Sequence, residues 1–297
     1  MTLHPNVPYP TQRGTVRSGP FELGYVIEGS GRPALVIGSS VYYPRTFSAE
    51  LRRQLQLVFV DHRGFVAPPA EVSRCDFELD VLLDDLERVR QHLGLEDVVV
   101  IGHSGHGYMA LEYAKRYPQH VSHVVMIGTG PSHSAEHAKM TEEYWQEAVC
   151  PERKAQLEAD LALLPAELES APERRFITFC LRLGARSWYD HAFDATALWE
   201  GVHVTMTMFD YVWGEVFRDL DVRQGLESLD IPVFLAMGRF DYLVTPFPAW
   251  DPYRPAFRQL TMRVFEKSGH TPQLEESALF DAELLTWLEA TRKEISA

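Results

Sequence analysis

The chain has 297 residues, 45% apolar and 24% charged, with a net charge of −14. That size allows one large α/β domain or two smaller ones, and the acidic balance argues against a nucleic-acid surface or an anionic membrane as partner. Three cysteines, Cys75, Cys150 and Cys180, form no CxxC pair, which speaks against a disulfide framework or a cysteine metal site and fits a reducing, cytoplasmic setting.

Residues 1–13 read as an irregular arm without the apolar core of an export signal. Gly14–Ser18 and Phe21–Glu28 read as two extended segments turning at Gly19-Pro20, an antiparallel hairpin. After a turn at 29–33, Ala34–Ile37 is a short buried strand ending in Gly38-Ser39-Ser40-Val41. A helix is expected from Pro44 to Gln54, and Leu57–Val60 is the next strand, closing on Asp61-His62-Arg63-Gly64. Phe77–Leu93 carries Leu79, Leu82, Leu83, Leu86, Val89 and Leu93 at helical spacing, and Gly94 stops it.

Val98–Ile101 is an apolar run of the kind buried on both faces of a sheet. It leads through Gly102-His103-Ser104-Gly105-His106-Gly107 into a helix, Tyr108–Tyr117, that Pro118 ends. Val121–Ile127 is another strand. From Ala34 to Gly128 strand and helix therefore alternate with short connections, which predicts an α/β fold with a doubly wound, mostly parallel sheet. The rhythm breaks at 128–131. Helices are expected over Thr141–Val149, Pro151–Leu163, Pro172–Leu183 and parts of Thr196–Phe217, in a stretch rich in aromatic residues. It resumes with strands Pro232–Met237 and Met262–Phe265 and a final helix, Ser277–Ile295. Residues 132–225 are thus an insertion at the strand ends. No apolar run approaches the roughly 18–20 residues of a membrane span, and the twelve histidines form no HExxH pair.

Ser104 sits where a tight strand-to-helix turn lifts a hydroxyl above the sheet edge, facing the free N–H groups of the following helix. A serine is a weak nucleophile until a base takes its proton and an acid orients that base. In an open α/β sheet such groups lie on loops past the carboxyl ends of strands. Asp241, after strand Pro232–Met237, and His270, after strand Met262–Phe265, are in such loops and follow Ser104 in chain order.

These stretches resemble the α/β-hydrolase fold family. GHSGHGYMALEYAKRYP is similar to its nucleophile elbow and following helix, AMGRFDYLVTP to its acid loop, KSGHTPQLEE to its histidine loop and VDHRGF to its strand-end D-x-R-G turn. The resemblance implies a core in two parts, residues 1–131 and 226–297, with 132–225 as a helical cap. It implies Ser104 as nucleophile, His270 as general base and then acid, and Asp241 as orienting acid, with no cofactor. The oxyanion hole would take the N–H of Gly105 and one from the loop after Ala34–Ile37, with Ser40 the aligned donor and Val41 its neighbour. The chain departs from the family twice. Gly38-Ser39 stands where His-Gly is common, which leaves a role open for the Ser39 or Ser40 hydroxyl. His106 stands two residues after the serine, where a small residue is usual; it either packs beneath the sheet or beside the neighbouring strand, or it tunes or contacts the site.

Asp61 and Arg63 read as turn-makers, His103 as structural, and Glu275 and Glu276 as caps of the final helix. The implied reaction is acyl transfer to water. The expected partner is a small-molecule substrate, a fairly apolar ester or lactone, with no nucleic acid or membrane; nothing in the pattern sets an oligomeric state. Alternatives are a proline-iminopeptidase-like aminopeptidase holding an ammonium on Glu142, Glu143, Asp210 or Glu215, a carbon–carbon bond hydrolase, and a non-catalytic receptor on the same fold. Tyr42, Tyr43, Trp188, Trp213 and Phe240 are the expected pocket residues.

Overall fold

The computed structural model describes residues 11–292. Eight strands form one sheet. β1 (Thr11–Ser18) and β2 (Phe21–Gly29) make the expected hairpin, and β2 runs antiparallel to β4 (Leu55–Asp61). From β4 the sheet is parallel, through β3 (Arg32–Gly38), β5 (Val98–His103), β6 (Val121–Ile127), β7 (Val233–Gly238) and β8 (Leu260–Phe265), in the order 1-2-4-3-5-6-7-8.

Side-chain alternation along each strand divides the core between the two faces. Leu35, Ile37, Val58, Val60 and Val100 pack with the leucines of α2 (Leu79–His92) and the apolar face of α3 (His106–Arg116). Ala34, Val36, Leu57, Phe59, Val99 and Ile101 face the other way, toward the short α1 (Leu51–Gln54) and the C-terminal helix. Every residue of β5 is buried, as expected for a central strand covered on both faces.

The chain winds outward from β3 to β4, then returns to place β5 on the opposite side of β3. Strand order reverses there, and a crevice opens past the carboxyl ends of β3 and β5. The helices between β6 and β7 lie over that end. They are α4 (Ala135–Ala148), α5 (Pro151–Ser170), α6 (Arg175–Arg182), α7 (Gly184–Ser187), α8 (Thr196–Trp199) and α9 (Met206–Tyr211), then a π-helical turn, Val212–Val216, and α10 (Phe217–Asp219). α11 (Pro272–Glu275) and α12 (Ser277–Ala290) follow β8.

Three expectations shift. Residues 11–13 of the expected arm are strand, and the rest of that arm lies outside the described residues. The final helix ends at Ala290; Ile295 also lies outside. The helix expected from Pro44 to Gln54 is a 3-10 turn, Tyr43–Arg45, followed by α1. Its reason is local. The carbonyls of Pro44, Phe47 and Ser48 accept from the Arg52 guanidinium, and the Ser48 hydroxyl accepts the Leu51 N–H, so the connecting carbonyls serve a side chain.

Candidate active site

Ser104 leaves β5 with φ 58°, a left-handed conformation that a residue with a Cβ adopts only when the surroundings enforce it. Here its N–H donates to the Ile127 carbonyl at 2.7 Å and its carbonyl accepts from the Thr129 hydroxyl at 2.9 Å, so the end of β6 and the residues just after it pin both sides of the turn. The Gly105 N–H that follows has no partner among the described residues.

His270 is anchored at three points. Its Nδ1 lies 2.7 Å from Asp241 Oδ2, its N–H donates to the Ser187 carbonyl at 2.6 Å, and its own carbonyl accepts from His103 Nε2 at 2.8 Å. Asp241 is 2% exposed, and its Oδ1 accepts the N–H groups of Leu243 and Val244. Glu275 secures the residues on either side. Its Oε1 takes the N–H groups of Gly269 and Thr271, each at 3.0 Å, and its Oε2 takes that of Tyr189 at 2.7 Å. Glu276 Oε2 accepts from the Lys267 N–H and the Ser268 hydroxyl. The two glutamates expected to cap the final helix hold the histidine loop instead, because that loop turns back over α11 and presents its N–H groups to them.

A cavity of about 320 Å³ lies over Ser104 and His270. Of the expected pocket residues, Tyr42, Tyr43, His106, Trp188 and Trp213 line it. Phe240 does not: its ring lies outside, against Tyr189 and over the Arg153 guanidinium. Phe65, Phe176, Phe179, Trp199 and Leu243 line the wall without having been singled out from the sequence. Among the described residues no Asp, Glu, Lys or Arg side chain lines it.

The loop after β3 uses its own N–H groups internally. The Ser40 N–H and hydroxyl donate to Asp61 Oδ1 and Oδ2 at 2.6 and 2.8 Å, and the Val41 and Tyr42 N–H groups both donate to the Ser39 hydroxyl at 3.1 Å. Burial pushes the Asp61 carboxyl up to about 6, against the two bonds from Ser40. Arg63 forms a buried two-point pair with Asp85 on α2, and so ties the β4 turn to that helix.

His106 neither sits under the sheet nor stands alone. Its Nε2 is 2.8 Å from His62 Nε2, and its Nδ1 is 3.0 Å from the Tyr43 hydroxyl and 3.1 Å from the His103 carbonyl. One backbone group sets the direction of the whole chain. The Gly64 N–H donates to His62 Nδ1, so neutral His62 carries its proton on Nε2 and donates to His106. His106 then carries its proton on Nδ1 and donates to the His103 carbonyl and Tyr43. The Tyr43 hydroxyl, 3.3 Å from His103 Nδ1, donates to it, and His103 Nε2–H donates to the His270 carbonyl. Burial favours the neutral rings. It lowers His62 and His103 well below the usual histidine range, helped by the neighbouring imidazoles, and lowers His106 to about 4. His103, read from the sequence as structural rather than a base, also borders the cavity with its ring. His62 escaped notice in the sequence, where the only sign was its place at the end of a strand.

The alpha/beta hydrolase fold model matches residues 30–277. The chain belongs to that family. It is 45% identical over 276 residues to AB hydrolase superfamily protein YclE of Bacillus subtilis (strain 168), an overlap covering 93% of this chain and 98% of that protein. Among solved structures, the proline iminopeptidase of Mycobacterium smegmatis superposes with a TM-score of 0.69 at 16% identity, covering 94% of this chain and 98% of that one. The esterase EaEST of Exiguobacterium antarcticum gives 0.64 at 20%, covering 93% and 96%. At those identities the two structures show a shared fold.

Proposed function

We propose that the protein is a serine hydrolase acting on small, uncharged, fairly apolar carboxylic esters or lactones through an acyl-enzyme on Ser104. The observation that carries this reading is the buried His270–Asp241 pair at 2.7 Å, whose histidine borders the same apolar cavity as a strained, strand-end serine. With its Nδ1–H held by Asp241, a neutral His270 keeps its lone pair on Nε2 and is the base for the Ser104 hydroxyl. Ser104 Oγ bonds to the substrate carbonyl carbon, the carbonyl electron pair moves onto oxygen, and His270 takes the proton. When that pair returns, the alkoxide leaves with the proton from His270. Water then repeats the sequence and releases the acid. Gly105 offers an open N–H to the oxyanion; Ser40 and Val41 join it only by leaving Asp61 and Ser39.

Residues 132–225 act as a cap that sets the substrate's shape. Its aromatic wall favours an acyl or aryl group. The acids that an aminopeptidase reading needs are engaged on the surface: Glu215 with Arg74, Asp210 with Arg175, Glu142 with Arg186 and Glu143 with Lys139. None of them lines the cavity.

The test compares hydrolysis of p-nitrophenyl acetate and butyrate with that of proline p-nitroanilide, alongside labelling by a fluorophosphonate. Ester turnover and labelling that both vanish in Ser104→Ala, with the circular dichroism retained, are expected. A Ser104→Ala variant that keeps its turnover, or a preference for the anilide, would overturn the reading.

A further inference from the structure

We propose that Trp213 is a catalytic residue, its indole N–H donating to the substrate carbonyl oxygen as that oxygen becomes an oxyanion at Ser104. The proposal rests on the serine-hydrolase reading above and assigns that site a side-chain donor.

Three observations converge. The first is position. A Cβ placed on Gly105 would lie 2.6 Å from both Nε1 and Cε2 of Trp213 and 2.8 Å from its Cζ2. The nitrogen edge of a cap side chain therefore fills the space that a side chain directly after the nucleophile would occupy. Gly105 permits this approach because it has no Cβ.

The second is availability. Trp213 packs edge-on to His106 and lies against Phe209 and Phe217, and it lines the cavity with Ser104. Its indole nitrogen has no hydrogen-bond partner among the described residues. An indole N–H is a donor only, and Trp213 is half-buried rather than sealed, so this N–H is open to the cavity. Here the cavity is where an acceptor can arrive.

The third is need. Oxyanion stabilisation in this type of site takes two or more fixed donors. Gly105 supplies one, while the N–H groups of Ser40, Val41 and Tyr42 are held by Asp61 and Ser39. The π-helical turn Val212–Val216 carries Trp213. Such turns widen a helix by one residue and are found frequently at functional sites.

The experiment measures p-nitrophenyl butyrate hydrolysis and inhibition by butylboronic acid, which forms a tetrahedral anionic adduct with a reactive serine. Wild type is compared with Trp213→Phe and with a protein carrying 3-benzothienylalanine at position 213, a ring of the same shape with sulfur in place of the N–H. Removal of one oxyanion donor typically slows turnover about a hundredfold or more. Both variants are expected to lose about that factor in kcat, to keep KM within about threefold and to bind the boronic acid correspondingly more weakly, with unchanged thermal melting for the benzothienyl protein. If the benzothienyl protein keeps kcat and boronate affinity within twofold of wild type, the indole N–H has no such role. A parallel rise in KM with unchanged kcat would also overturn the proposal, by making Trp213 a wall residue. Wild type that neither turns over esters nor reacts with a fluorophosphonate would instead remove the underlying reading, a failure visible before any variant is made.

Discussion

Glu275 is the residue whose removal should most clearly separate the two ways this protein holds its histidine loop. Its carboxylate takes the N–H groups on both sides of His270, from Gly269 and Thr271, on one oxygen, and the Tyr189 N–H on the other. Glu275→Ala strands all three donors. Leaving a buried N–H unmet costs about 1–3 kcal/mol. Tyr189 is exposed, so water can serve its N–H, and the cost falls mainly on the two loop donors. The expected loss is therefore about 2–6 kcal/mol, with kcat falling as His270 loosens and KM little changed. Glu275→Gln is different in kind. Its amide oxygen can keep the two loop bonds, while its NH2 group faces the Tyr189 N–H, donor against donor. The expected cost is about 1 kcal/mol, with most of kcat retained.

The same group gives a pH signature. Burial pushes the Glu275 carboxyl from 4.5 to about 7, helped by the charge of Asp241 and opposed by the three backbone bonds. A folded value above the unfolded one means that the folded state holds the proton more tightly. The associated stability is fully present below about pH 4.5 and is lost as pH rises through about 7. A rise of that size corresponds to at most about 3 kcal/mol. The amide of Glu275→Gln does not titrate. The advantage of wild type over Glu275→Gln should therefore be largest near pH 5 and narrow by pH 8. Urea unfolding of wild type and both variants at the two pH values measures this directly. A gap that does not change with pH, or an alanine variant as stable as the glutamine one, would refute the reasoning.

Three further outcomes follow from named contacts. His106→Phe strands the His62 Nε2–H and the His103 carbonyl and should lower stability by about 2–3 kcal/mol in urea; in the double variant with His62→Phe the loss should be less than additive, and additive losses would dissolve the pair. Gly105→Ala puts a methyl against the Trp213 indole and should displace it, which is read as a changed near-ultraviolet circular dichroism with a loss of about 1–3 kcal/mol; an unchanged spectrum would count against the close approach. Asp85→Ala removes the carboxylate that Arg63 and the Ser18 hydroxyl share at 1% exposure, and should cost about 3–5 kcal/mol by thermal or urea unfolding while leaving the fluorophosphonate reaction of the folded fraction intact.

What the sequence disclosed and what it withheld divide along a physical line. β5, the turn at Ser104 and α3 were legible because each follows from neighbouring residues: a buried apolar run, a glycine-rich turn and a helical period. The loops holding Asp241 and His270 were legible because each follows directly on a strand. The helix expected over 44–54 failed through a local competitor that periodicity does not register, the Arg52 guanidinium on its carbonyls. The histidine chain was hidden for another reason. His62 and His106 follow β4 and β5, strands that are not neighbours in the sheet, and they meet across the end of the strand between them, β3, where Gly38 carries no side chain.

That ending joins the two departures from the family pattern. Gly38 closes β3 at φ 142°, and a Cβ there would run into the Tyr43 ring. Without one, Tyr43 lies over the strand end and sets its hydroxyl between His103 and His106. A histidine at 38, the residue common in the family, would occupy the space of that ring. The glycine at 38 and the histidine at 106 are therefore complementary. The first makes room for the tyrosine, and the second uses its hydroxyl in a run of hydrogen bonds that ends on the backbone of His270.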